Sequence, residues 1–201
     1  PERPRRTRRS ERKRVPLARR FVVRCTLAVA LLSVVVGWAV GGSERTLGDL
    51  EAHTTQLTAA ADQPGRVHRI AELAASFDRA VAEADPRTSE IGGMLRQEAT
   101  RLRQVQEGLV NGDPQLGLPA VELNAQLEEL HLGSGRLLNR VDVYASEATR
   151  MTNLITAADT DRRAQLAREI TNNSLQLSED LEQATAAYAS AVDDSITQRR
   201  D

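Results

Sequence analysis

Cysteine and aromatic residues are scarce in this chain of 201 residues. It contains a single Cys, Cys25, and its two Phe, two Tyr and one Trp make up 2% of the sequence. One cysteine excludes a disulfide scaffold and a zinc site built from several cysteines. So few aromatic residues also argue against an aromatic-rich β-sandwich. A core in this protein therefore has to be built mainly from Leu, Val, Ile and Ala.

Net charge is nearly absent as well, since 27 Lys and Arg residues stand against 28 Asp and Glu residues, a formal charge of -1. The charges are nevertheless segregated along the chain. Residues 1–24 contain 11 of the basic residues and two acidic ones, which leaves 16 basic and 26 acidic residues in 25–201. The sequence therefore consists of a basic arm and an acidic body.

An uncharged stretch of 19 residues, 25–43, separates the arm from the body. At about 1.5 Å per residue, a helix of this length crosses a hydrocarbon layer of roughly 30 Å. We predict one transmembrane helix over 25–43, and the positive-inside rule places the arm 1–24 in the cytoplasm. The protein is then located in the inner or plasma membrane, with residues 44–201 in the periplasm or outside the cell.

Three other interpretations of the N-terminal region stay open. A cleavable signal peptide is one of them, although its apolar region is usually shorter, about 7 to 15 residues. The pair Arg19-Arg20 is similar to a twin-arginine export signal. A basic arm can also bind nucleic acid, but this arm has no aromatic residue before Phe21 and leads directly into the apolar stretch. We therefore expect membrane lipids, and not nucleic acid, as its partner.

The acidic body has the periodicity of α-helices, with apolar residues three and four positions apart in three long series. No segment alternates with period two, so we predict no β-sheet. In the first series the polar residue Glu98 occupies one position where the spacing expects an apolar residue, and in the second series Ser134 does the same. The three series are Ile91, Leu95, Leu102, Val105 and Leu109; Leu123, Leu127, Leu130, Leu137, Val141, Tyr144, Ala148, Met151 and Ile155; and Leu166, Ile170, Leu177, Leu181, Tyr188 and Val192.

Breaks between the series delimit the predicted helices. Pro64-Gly65 interrupts the first helix, Asp85-Pro86 ends it, and a loop rich in Gly and Pro at 111–119 precedes the third. Two glycines favour a further break at 133–135. The fold class is therefore all-α, an N-terminal transmembrane helix followed by an extracytoplasmic up-down four-helix bundle. The predicted bundle helices are 44–84, 87–110, 120–157 and 161–199.

Ten residues of the body follow a recognisable order: Leu109, Gly112 and Asp113, then Gly117, Leu118 and Pro119, then Leu127, Leu130, Gly133 and Leu137. With this order, the segment 94–137 resembles the centre of the sensor domain of type IV pilus chemotaxis transducers and nitrate-responsive sensor kinases. Upstream, the stretch 68–71 (His-Arg-Ile-Ala) is similar to the end of that family's first-helix motif.

The resemblance covers about residues 44–200. It implies a sensory input domain that works as a homodimer, followed by a second membrane helix and a cytoplasmic output: a histidine kinase, a chemoreceptor signalling domain or a diguanylate cyclase. In the family, arginines on the first helices of two subunits bind an anion. That position falls on Pro64 here, or on Arg66 after a slip of two residues, so recognition of nitrate or nitrite is not carried over.

Arg66, His68 and Arg69 form a short basic cluster in the acidic body, and we take them as candidate ligand-binding residues. A guanidinium fork is well suited to a planar oxyanion. In the alternative interpretation, Arg66 and Arg69 lie on a solvated helix face and pair with Asp62 or Glu72.

Motifs for catalysis or metal binding are lacking. Glu128-x-x-His131 has the spacing of a di-iron bundle motif but occurs once, where two copies are needed, and we predict a surface histidine there. No nucleophile elbow or Gly-rich phosphate loop occurs. We therefore predict no catalytic residue, metal or cofactor in this segment, and no enzyme activity.

Two functions fit these observations best. The first is a membrane-anchored sensory input domain of a bacterial signal-transduction protein, such as a two-component system. It would bind a small ligand, an anion included, or a partner outside the membrane, and transmit helix displacement to a cytoplasmic output domain. The second is a single-span membrane scaffold whose exported bundle binds a protein partner. An exported enzyme released by signal cleavage is a third hypothesis.

Overall fold

The computed structural model describes residues 44–120, 123–134 and 136–197. The predicted basic arm, 1–24, and the predicted transmembrane helix, 25–43, lie outside these residues. No helix in the described part of the chain combines the length and the apolar character needed to cross a membrane. The chain divides into two units, Pro1–Leu47 and Gly48–Asp201, and the site described below lies in the second.

Five α-helices make up the described part of the chain, and no strand occurs within it, which confirms the all-α prediction. Two 3-10 helices, Pro114–Leu116 and Ala157–Asp159, lie in connections. The α-helices are α1 (Glu44–Ala82), α2 (Thr88–Asn111), α3 (Ala125–His131), α4 (Leu137–Met151) and α5 (Thr160–Thr197).

The hydrophobic core is formed by one face of each of the four longer helices, α1, α2, α4 and α5. Its twenty buried residues include seven alanines, and Phe77 and Tyr144 are the two aromatic members. Because alanine side chains are short, neighbouring helices can approach each other closely. The predicted composition of the core, mainly Leu, Val, Ile and Ala, is confirmed.

The apolar series are buried as predicted for most of their members, with one clear exception. Ile155 is 61% exposed. The reason is that α4 ends at Met151, so Ile155 lies beyond the helix whose periodicity placed it on the buried face.

Within the predicted span 120–157 the structure has two helices, α3 and α4, so the break predicted inside this span is confirmed. The outer bounds were too wide, because α3 begins at Ala125 and α4 ends at Met151. The break includes Gly133 and is stabilised by Ser134, whose backbone N–H and hydroxyl donate to Glu129 Oε1 at 3.0 and 2.6 Å. These hydrogen bonds to the hydroxyl and the amide lower the pKa of Glu129. Arg136, in the left-handed region with φ 45°, directly precedes the first residue of α4.

Pro64 does not interrupt the first helix, contrary to expectation, since α1 continues from Glu44 to Ala82. Proline removes one backbone donor from the helix. Side chains of other helices bond to carbonyls close to it: Ser178 Oγ donates to Pro64 O at 3.4 Å, and Tyr144 Oη donates to Val67 O at 3.0 Å. These contacts from α5 and α4 hold this part of α1 in place.

The loop between α2 and α3 requires glycine at its first position. Gly112 has φ 79°, and a Cβ atom there would lie 2.6 Å from the backbone nitrogen of Ala120. Asp113 accepts a hydrogen bond from Gln115 N and begins the 3-10 helix. Further along, Pro119 O accepts from Gln56 Nε2 at 3.1 Å, which ties the loop to α1.

Candidate functional site

Two of the three predicted site residues, Arg66 and Arg69, meet at one carboxylate on the neighbouring helix. Arg66 Nη1 lies 2.9 Å from Glu98 Oε2, and Arg69 Nε lies 3.4 Å from Glu98 Oε1. The two arginines are one turn apart on α1, while Glu98 belongs to α2. The ion pairs therefore join two helices, and they differ from the pairing with Asp62 or Glu72 that the solvated-face interpretation predicts.

His68, the third predicted site residue, faces a different helix. Its Nε2 atom lies 3.2 Å from Ser178 Oγ on α5. Because the Ser178 hydroxyl donates to Pro64 O, it is an acceptor towards His68, which fits a proton on Nε2. The structure thus separates His68 from the two arginines, and the three side chains do not converge on one point.

Glu98 was not among the predicted site residues, although the sequence carried a signal for it. It occupies the polar step in the apolar series of α2, and its side chain is only 21% exposed. A carboxylate in such a position needs a charged partner. Two arginines three residues apart on another helix supply it.

A groove between α1 and α2, with a volume of about 300 Å³, opens beside Arg66. We call it the Arg66 groove. Its charged lining residues are Asp62 and Arg66 from α1 and Arg101 from α2, next to the hydroxyl-bearing Thr58 and the apolar Val105. Neither Asp62 nor Arg101 takes part in an ion pair with any residue that the structure describes.

Two polar atoms of residues that line this groove have no hydrogen-bond partner within the described structure. They are the acceptor Gln63 Oε1 and the donor Arg66 Nε. Gln63 is fully buried, and its Nε2 donates to Ala59 O at 3.2 Å. That bond fixes the orientation of the amide, because the opposite orientation would set two acceptors against each other. Buried polar groups in proteins are nearly always paired, so a ligand or water is expected here.

A second groove, of about 630 Å³, is also lined by Arg66, together with Glu98, Arg96 and Arg101. Arg66 and Arg101 line both grooves. The Arg66–Glu98 ion pair thus stands at the boundary between the two spaces.

A polar cluster of a different kind, formed by Gln106, His131 and Tyr188, lies inside the protein and joins α2, α3 and α5. Gln106 Nε2 lies 2.9 Å from His131 Nδ1, and His131 Nε2 lies 3.1 Å from Tyr188 Oη. Tyr188 Oη in turn donates to Leu109 O at 3.2 Å. We call this the His131 cluster.

The prediction of a surface histidine at 131 is wrong, because His131 is 1% exposed. Its hydrogen bonds define one consistent arrangement, in which Gln106 donates to Nδ1 and Nε2–H donates to Tyr188. Desolvation lowers the pKa of His131 to about 4, so the ring is neutral at pH 7. Tyr188 satisfies a carbonyl in the last turn of α2, where helices leave carbonyls without intrahelical partners.

Arg163 is a buried charge with a structural role. It is 1% exposed, its Nε donates to Asp78 Oδ1 at 2.8 Å, and its Nη1 donates to Leu154 O at 3.2 Å. These bonds hold the start of α5 against α1 and against the connection that follows α4. Neither groove beside Arg66 includes Arg163 among its lining residues.

No group of three His, Cys, Asp or Glu side chains in the described ranges is placed to hold a metal ion. Glu128 is exposed while His131 is buried in its cluster, so the two residues of the di-iron-like spacing do not share a site.

Comparisons of the chain with protein-family models, with curated proteins and with solved structures found no match.

Proposed function

We propose that this chain is the sensory input part of a bacterial membrane signalling protein. Residues 25–43 anchor it in the membrane, the arm 1–24 stays in the cytoplasm beside anionic lipids, and residues 44–201 fold outside. There α1, α2, the pair α3–α4 and α5 act as the four members of an up-down bundle, and two copies form a dimer. This arrangement agrees with the family resemblance described above, including a cytoplasmic output such as a histidine kinase.

The observation that carries the proposal is the Arg66 groove and its unpartnered polar atoms. Gln63 Oε1 and Arg66 Nε are buried and have no hydrogen-bond partner among the described residues, and both residues line a space that is open to a small molecule. Both belong to α1, which begins at Glu44, directly after the apolar stretch 25–43. A ligand in this groove therefore contacts the helix that continues the predicted membrane anchor.

Signal transmission requires that the ligand binds one arrangement of the helices better than another. Arg66 is a suitable switch residue, because its Nη1 is bound to Glu98 while its Nε has no hydrogen-bond partner among the described residues. A ligand that draws the guanidinium into the groove weakens the contact with Glu98 and frees α1 to move against α2. Displacements of about 1–2 Å along a helix are a common way of carrying such signals.

Membrane topology is the first test. We would replace Cys25 by Ser and introduce single cysteines, Glu72→Cys in the exposed part of α1 or Ser10→Cys in the arm, in the full chain in bacterial cells. A membrane-impermeant maleimide should label position 72 in intact spheroplasts and position 10 only after permeabilisation. Labelling of position 10 in intact spheroplasts, or failure to label position 72, would overturn the proposed orientation.

Helix displacement is the second test. Spin labels at Glu72 on α1 and Glu182 on α5, both exposed, report the distance between the two long helices in the full chain in lipid nanodiscs. Sodium nitrate, sodium acetate and glycine serve as probes, and we expect a shift of about 1–2 Å with a probe that binds. Binding of a probe with an unchanged distance distribution would contradict signalling and favour the membrane scaffold as the function.

A further inference from the structure

The Arg66 groove carries charges of both signs. Asp62 and Arg66 are four residues apart on α1, a spacing at which opposite charges often pair, yet Arg66 is engaged by Glu98 on α2 instead. The Asp62 carboxylate therefore has no ion-pair partner among the described residues, and it lines the groove together with Arg66 and Arg101. With Glu98 balancing one of the arginines, the surroundings of the groove are close to neutral.

The two unpartnered atoms require opposite hydrogen-bonding groups from a ligand. Gln63 Oε1 can only accept a hydrogen bond, whereas Arg66 Nε can only donate one. An isolated anion would satisfy Arg66 but would leave Gln63 unpaired and would face the carboxylate of Asp62. An isolated cation would satisfy Gln63 and Asp62 but not the two arginines. A ligand that carries both a donor group and an anionic group satisfies both atoms and complements the charges of Asp62 and the two arginines.

We infer that the Arg66 groove binds a small zwitterion of the α-amino-acid class. Its carboxylate lies on Arg66 Nε and Arg101, where charge-assisted hydrogen bonds form, and its ammonium group lies on Gln63 Oε1 and Asp62. Val105 and Ala59, which also line the groove, offer apolar contact for a short aliphatic side chain. The volume of about 300 Å³ suits a small amino acid. This inference deepens the proposed sensory function and depends on it.

Calorimetric titration of the full chain in neutral detergent tests the ligand class. The probes are glycine, L-alanine and L-valine, with sodium acetate and methylammonium chloride as the two halves of the zwitterion and sodium nitrate as a simple oxyanion. We expect at least one amino acid to bind about tenfold or more tightly than acetate, methylammonium or nitrate, because each half leaves one buried atom unpaired. Acetate or nitrate binding as tightly as the amino acids would overturn the inference.

Two substitutions locate the site. Arg66→Gln removes the guanidinium that lines the groove, and Gln63→Met removes the unpaired acceptor at nearly constant volume. Each should weaken amino-acid binding about tenfold or more. Arg79→Gln is the matched control, since Arg79 is an exposed arginine of α1 that does not line the groove, and it should leave the affinity unchanged. Equal loss in all three variants, or in none, would contradict this site.

The inference and the proposed function can fail separately. If nitrate binds through Arg66 and shifts the α1–α5 distance while no amino acid binds, the inference of a zwitterionic ligand is wrong and the proposed sensory function is retained. A groove that binds no probe, with only water against Gln63, would overturn the inference. Circular dichroism of each variant, with unchanged helix content, shows that a loss of binding is not a loss of fold.

Discussion

The Arg66 groove and the His131 cluster both bring polar side chains between packed helices, but they differ in how completely the polar atoms of those side chains are paired. In the His131 cluster, a chain of hydrogen bonds runs from Gln106 through His131 and Tyr188 to the Leu109 carbonyl, and Gln106 Oε1 is the single unpaired atom. At the groove, the buried acceptor Gln63 Oε1 and the buried donor Arg66 Nε have no hydrogen-bond partner among the described residues. A network whose polar atoms are mostly paired stabilises the contact between helices. Unpaired polar atoms beside a groove can instead be paired by a ligand.

The largest effect is expected from opening the closed cluster. His131→Leu leaves the whole side-chain amide of Gln106 buried without a partner, and we expect the free energy of unfolding to fall by about 2 to 3 kcal/mol. Urea denaturation of the full chain in neutral detergent, followed by circular dichroism at pH 7, measures the change. The exposed substitution Glu128→Gln on the same helix is the surface control and should change stability by less than about 0.5 kcal/mol.

A second substitution tells whether the loss comes from unpaired polar groups or from packing. In the double variant His131→Leu, Gln106→Leu, both partners become apolar, and such replacements are often close to neutral. We therefore expect most of the stability to return. A double variant as unstable as the single one would show that hydrogen bonding is not what this cluster contributes.

The structure and the sequence agree best where the argument depends on helical periodicity. Leu95, Leu102 and Leu109 lie on the buried face of α2 as predicted, because a stripe of apolar residues has to face a core whatever its partner is. The same pattern also showed that the polar residue Glu98 interrupts the apolar series. It did not show that Arg66 and Arg69 pair with Glu98, because ion pairs between helices depend on how the helices pack.

The buried polar residues show where sequence reasoning was incomplete. Gln63 follows Ala60 by three residues and precedes Val67 by four, and His131 follows Leu127 by four, so both lie in register with buried apolar neighbours. That register was a usable signal for burial. It could not indicate that His131 would find two partners and that Gln63 Oε1 would find none, because those outcomes depend on residues of other helices. Arg66 was named from the sequence as a site residue and Asp62 as a pairing partner in the alternative interpretation, while Arg101 was identified only from the structure.

Acid should also lower the free energy of unfolding through the His131 cluster, by a somewhat smaller amount. Burial lowers the pKa of His131 from 6.5 to about 4, so below pH 6.5 the unfolded chain takes up a proton that the folded chain does not. Stability is therefore fully present above about pH 6.5 and is lost as the pH falls towards about 4. Between pH 7 and pH 5 this linkage amounts to about 2 kcal/mol.

The double variant His131→Leu, Gln106→Leu is the control for this pH dependence, since it lacks the titrating ring. Urea denaturation at pH 7, 6 and 5 should show a smaller decline in the double variant than in the wild-type chain. Parallel declines in the two proteins would assign the acid sensitivity to other groups.

The smallest effect, and one of opposite sign, is expected in the Arg66 groove. Without a ligand, Gln63→Met removes a buried acceptor that has no partner, at the loss of one bond to Ala59 O, a carbonyl already within the helix. We expect the free energy of unfolding to change by less than about 0.5 kcal/mol or to rise slightly. Urea denaturation without added amino acids measures this change.

A loss of more than about 1 kcal/mol would show that Gln63, like the His131 cluster, serves the stability of the fold. A neutral change together with lost amino-acid binding would separate the two regions, because groups arranged for a ligand often add nothing to the stability of the empty protein.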